Sequence, residues 1–156
     1  MKKMVMVLLA VMLGFIAVFV AIAQAQTEEL LIKIMPPVNI VAPPPDLPKE
    51  LASLSGRWEG TWGATRGPFI LICEQITNQE AVMVYVVAPI STHFKSEGGA
   101  ERYKAKVISG KFPRIEFLSK AGSTFIFILR DKDTLDVVFI GGKGSRLTTT
   151  AHRVSN

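Results

Sequence analysis

Few residues in this chain have types and spacings that could do chemistry. Nucleophilic catalysis needs a serine or cysteine beside a base that an acid orients, and no Gly-x-Ser-x-Gly elbow occurs. The one cysteine, Cys73, stands between Ile72 and Glu74 in an apolar stretch, the setting of a small core residue rather than a nucleophile. His93, beside Ser91 and Thr92, is the one place where a histidine could join hydroxyls in hydrolase-like chemistry, whereas His152 falls at an outward position. Paired carboxylates for acid–base work would need two buried acids with split pKa values. Glu59, Asp131, Asp133 and Asp136 fall on outward faces or turns, and Glu74 and Glu116 have no partner that the sequence reveals. A single cysteine rules out a Cys-based zinc site, and the two distant histidines leave little for other metal chemistry. No metal or cofactor is expected. Gly141-Gly142-Lys143-Gly144-Ser145 lacks the Gly-x₄-Gly-Lys-Ser/Thr spacing of a phosphate loop and a helix after it, so it reads as a hairpin turn. The balance leans away from an enzyme.

The elements that would carry these residues are short strands. From Ser55 onward, β-rich segments at 56–63, 68–76, 81–88, 101–109, 114–119, 123–130, 134–140 and 146–154 alternate with turn residues, and none keeps helical periodicity. Eight strands with mostly tight connections predict an all-β, up-and-down antiparallel meander, which removes its edges by closing into a barrel. The longest gap, about 89–100, holds His93 and Phe94. It would roof the open end of such a barrel, where Trp62, Tyr85, Tyr103, Phe125 and Phe127 are the aromatics expected to line a ligand site. A small barrel can equally be filled by its own side chains. Four segments, 69–73, 82–87, 125–129 and 137–140, are apolar on both faces. Their outer faces call for a cover: the proline-rich arm, a second copy or envelope partner, or a membrane surface.

The stretch Leu54-Ser55-Gly56-Arg57-Trp58-Glu59-Gly60-Thr61-Trp62 contains a Gly-x-Trp on the first strand, and Ala151-His152-Arg153-Val154 places an arginine near the C-terminus. Together these resemble the calycin pattern of lipocalins, fatty-acid-binding proteins and avidins. Cys73-Glu74-Gln75-Ile76, Ala81-Val82-Met83-Val84-Tyr85 and Thr134-Leu135-Asp136 extend the resemblance to small lipocalin-like β-barrel domains of exported bacterial proteins. The resemblance implies a barrel over about 54–155, closed at one end by Arg153 packed over Trp58, with binding or accessory roles. Alternation agrees. An inward Trp58 puts Gly56, Gly60 and Trp62 inside, and an inward Arg153 brings Leu147, Thr149 and Ala151 with it.

The 156 residues are 49% hydrophobic with a net charge of +5, and the apolar excess is concentrated at the start. Met1-Lys2-Lys3 precedes an uncharged run over 4–23, and Ala23-Gln24-Ala25 offers small residues before a cut, the layout of a signal peptide over 1–25. The run is also long enough for an uncleaved anchor. Both readings place the remainder outside the cytoplasm, periplasmic or extracellular, with membrane contact only if the apolar helix is retained. Cleavage would drop the net charge by two, to +3. That is too mild for a nucleic-acid partner. Residues 26–49 hold six of the nine prolines and favour an extended spacer or a docking peptide. Asp46, Pro48, Leu51 and Leu54 then suggest a short helix or 3₁₀ turn at about 47–54, capped by Asp46, entering the domain at 50–156. The function expected is a non-catalytic binding module for a small apolar ligand, or else an interaction domain that dimerises or docks through its apolar outer face.

Overall fold

A computed structural model describes residues 29–63, 67–88 and 98–154. His93, Phe94 and the apolar run at the start lie outside the described residues. The alternating segments form eight strands: β1 (Gly56–Thr61), β2 (Pro68–Ile76), β3 (Glu80–Val87), β4 (Gly99–Ile108), β5 (Arg114–Leu118), β6 (Thr124–Asp131), β7 (Thr134–Ile140) and β8 (Arg146–Val154). Each pairs antiparallel with the next, and β8 returns to β1, closing an up-and-down barrel in the order β1 to β8. The closing register sets Trp58 opposite Arg153 and Gly60 opposite Ala151.

Closure puts one face of every strand inside. Trp58, Leu71, Met83, Phe127, Leu135, Val137 and Ala151 share one buried core with Leu51 and Leu54. Cys73 and Ile76 both belong to that core although three positions apart, a spacing that strict alternation would forbid. The register shifts between Cys73 and Gln75, so Glu74 sits at a β-bulge and Ile76 returns to the inside. A similar shift lies between Leu129 and Asp131.

The outer face of β2 and β3 is covered by the chain itself. Leu31 joins Ile70, Ile72, Val84, Val86 and Ala88 in a second buried cluster, with Ile34, Met35, Val38 and Ile40 packed against it. Residues 29–34 are helical because the prolines begin only at Pro36; residues 35–44 follow without helix or strand. The short helix Lys49–Ala52 then buries Leu51 beneath the barrel. Its N-cap is Pro48, with no side-chain capping bond. The expected Asp46 cap is therefore two residues too early, in the turn that precedes the helix.

Strand direction separates the two ends. The connections β2–β3, β4–β5 and β6–β7 lie at one end with Lys49–Ala52. The connections β1–β2, β3–β4, β5–β6 and β7–β8 lie at the other, which holds the cavity described next.

Candidate functional site

The cavity occupies about 390 Å³. It forms because β4 and β5 pair only where Lys106–Ile108 face Arg114–Glu116. The earlier part of β4 therefore leaves β5, and the turn at Ser119–Ser123 stands opposite it. Tyr85, Tyr103, Phe125 and Phe139 supply the aromatic lining, and Glu101, Ser119 and Ser123 supply polar groups. The rings support one another. Tyr85 lies 4.9 Å from Phe125, Phe125 meets Phe139 edge-on at 5.1 Å, and Tyr103 stacks on Phe117 at 4.4 Å.

Each aromatic expected at the open end can be located, apart from Phe94. Tyr85, Tyr103 and Phe125 line the cavity. Trp62 stands behind it, 5.3 Å from Phe69, and its Nε1–H donates to Tyr85 Oη at 2.7 Å. Phe127 is fully buried in the core below. The structure thus brings three of the five together at the cavity wall, with Trp62 joined through Tyr85.

Glu101 and Phe139 also line the cavity but are not among the residues the sequence singles out. The signal was available. Strand β4 alternates, so the face that carries Tyr103, Ala105 and Val107 inward carries Glu101 with them. Tyr103 Oη donates to Glu101 Oε2, and Lys120 Nζ donates to Oε1 at 2.8 Å. Lys120 first and Tyr103 second hold the Glu101 carboxyl below its ordinary range. Burial first, and then the bond to Glu101, push the Tyr103 phenol well above its ordinary value. At neutral pH the site therefore holds a carboxylate and a neutral phenol.

The opposite end is closed by polar and aromatic contacts. The Arg153 guanidinium lies 4.1 Å from the centre of the Trp58 ring system. It donates to Ser55 O at 2.9 Å, to Ser53 O, and through Nε to Lys132 O at 2.9 Å. Trp58 Nε1–H donates to Leu54 O at 3.1 Å. Gly56 has φ +111°, and a Cβ there would stand 2.9 Å from Arg153 Nη1. Glycine two residues before Trp58 is thus required by backbone conformation and by the arginine together.

Glu74 and Glu116 both have partners, distant in the one case and local in the other. Glu116 pairs with Arg114 two residues away on the same face of β5. Glu74 is buried, and its carboxylate accepts Arg102 Nε at 2.7 Å, Arg102 Nη2 at 3.0 Å and the Asn39 amide at 3.0 Å. Arg102 also donates to Pro37 O at 2.9 Å, and the Val41 amide donates to Glu74 O at 2.8 Å. These bonds fasten the arm to the barrel. They make Glu74 a structural clamp, and the hydrogen bonds from Arg102 hold its carboxyl below the ordinary range against the effect of burial.

Cys73 is buried, and burial pushes its thiol up to about 12. His152 is exposed on β8. Among the described residues, no group of three or more His, Cys, Asp or Glu could hold a metal ion. No protein-family model matches the chain, and no curated protein matches it.

Proposed function

We propose that this chain is an exported, non-catalytic binding module of the lipocalin-like kind, which holds a small apolar ligand at the open barrel end. The observation that carries the reading is the 390 Å³ cavity with aromatic walls and a few convergent polar groups, a size and lining typical of small-molecule sites. The Gly56-x-Trp58 strand, with Arg153 over the indole, supports the calycin resemblance. The signal-like start supports export, with residues 1–25 removed or with 4–23 kept as an anchor.

The test uses the full chain and a neutral apolar dye such as Nile red. Saturable, blue-shifted emission at one dye per chain is expected, and Ala121→Trp, which fills the cavity mouth, abolishes it. Absence of saturable binding overturns the reading. Mass measurement of the chain recovered from the producing cell tests export, since cleavage after Ala25 shortens it by that segment.

A second reading has its own observation. The outer face of β5–β7 carries Leu118, which is 65% exposed, together with Ile126, Val138 and Ile140. Such a face suits a homodimer or an envelope partner. A concentration-dependent dimer in sedimentation, lost in Ile126→Lys, would favour this reading.

A further inference from the structure

The cavity has one charged lining residue among the described residues, and its sign restricts what enters. Glu101 belongs to the inward-facing row of β4, so its carboxylate faces the same space as Tyr85, Tyr103, Phe125 and Phe139. Aromatic faces carry negative electrostatic potential, and a carboxylate among them compounds it. An anion entering here would meet both with the same sign, whereas a cation would meet complementary groups. The protein already places a cation at this point. Lys120 reaches from the β5–β6 turn to put its Nζ 2.8 Å from Glu101 Oε1. Its side chain is 83% exposed, and an ion pair so open to water holds its lysine weakly.

We propose that the cavity selects amphiphiles with a protonated amine head on an apolar body, the ammonium displacing Lys120 from Glu101 while the body lies against the four rings. This rests on the binding-module reading above and adds to it the charge of the ligand. The head would donate to Glu101 Oε1, the oxygen Lys120 vacates, because Oε2 remains occupied by the Tyr103 hydroxyl. Ser119 and Ser123, in the turn on the facing wall, offer hydroxyl oxygens to the other ammonium hydrogens. Glu101 is an anion at neutral pH, its carboxyl held low by Lys120 first and Tyr103 second, and an ammonium in place of Lys120 would act in the same direction.

The experiment is calorimetric titration of the full chain at neutral pH with decylamine, decanol and decanoate, which share a body and differ in head charge. Decylamine is expected to bind several-fold tighter than decanol, with decanoate weakest, because its ammonium exchanges with a loosely held lysine that is rehydrated on release. Glu101→Gln should bring decylamine down toward decanol. Lys120→Ala, which removes the competing cation without touching the lining, should tighten decylamine. Decanol binding as tightly as decylamine, or decanoate binding best, overturns the charge selection and leaves the binding module intact. Unchanged amine preference in Glu101→Gln also overturns it. If none of the three binds, both this inference and the reading beneath it fail.

Discussion

Besides the apolar contacts of Leu31 and its neighbours, the arm is fastened to the barrel at one buried carboxylate, and the strength of that fastening can be measured. Arg102→Ala removes two of the three hydrogen bonds to the Glu74 carboxylate, as well as the bond to Pro37 O. Hydrogen bonds to charged groups contribute roughly 1.5–3 kcal/mol. The Glu74 side chain is only 7% exposed, but Arg102 keeps 47% of its side chain in water. Screening on the arginine side therefore makes the loss much smaller than for a fully buried pair. The reporters are the amides of Asn39 and Val41, both bonded to Glu74. Their hydrogen exchange should accelerate several-fold in Arg102→Ala, because the variant favours local opening of the arm. Amides of Leu71 and Trp58, inside the barrel sheet, should keep their rates. Unchanged exchange at Asn39 and Val41 would refute the clamp. Equal acceleration at Leu71 would show that arm and barrel open as one unit, which refutes the separation assumed here.

The same clamp has a pH signature. Glu74 has a folded pKa below its ordinary 4.5, so its contribution is complete above that value and is lost as pH falls through the depressed one. In an amide NMR titration the Asn39 resonance should therefore move with a midpoint below 4.5, and Arg102→Ala should raise that midpoint. Arg153→Ala should destabilise the barrel by about 3 kcal/mol, near 10 °C in Tm, from the lost indole contact and carbonyl bonds. Arg153→Lys should recover less than half of that in thermal denaturation, because one ammonium cannot serve three separated carbonyls. Cys73, buried with its thiol raised to about 12, should resist Ellman's reagent at pH 8 until the chain unfolds; prompt labelling of the folded chain would contradict its place in the core.

The strands were legible because their cue is local. A side chain two positions along faces the same way, so runs such as Leu135, Val137 and Phe139 declare a face without reference to the rest of the chain. The pairing of Trp58 with Arg153 follows from the calycin resemblance, with which the parity of the two distant strands agrees. Glu74 has no such cue. Its partners are 28 and 35 residues away, and one of them, Asn39, belongs to an arm whose course no periodicity encodes. Glu101 lay between these cases, readable by parity yet overlooked because a carboxylate on an inward row runs against the usual pattern of polar residues outside. The cavity itself depends on β4 and β5 parting beyond Lys106, and strand separation leaves no mark on either strand alone.

The excess of apolar residues divides in a way that bears on what the outside of the barrel does. On β2 and β3 the outward Ile70, Ile72, Val84 and Val86 are buried by the arm, so that this outer face is an internal core built from a segment preceding the barrel. On β6 and β7 the arm is not involved. Val138 is buried on the outside, between its paired neighbours Ile126 and Thr148, while Ile126 and Ile140 remain partly open to water. Branched residues packed side by side across strands shield one another, and Arg114–Glu116 and Arg130–Asp136 border the patch with ion pairs. A charged border keeps such a face soluble while leaving its centre apolar. The two faces therefore respond differently to damage to the arm. Deleting residues 29–40 would expose the β2–β3 face outright and cause association in sedimentation, whereas the β6–β7 face would be unchanged. If the truncated chain stays monomeric at concentrations where the full chain is monomeric, the arm is not the cover that keeps this barrel from its neighbours.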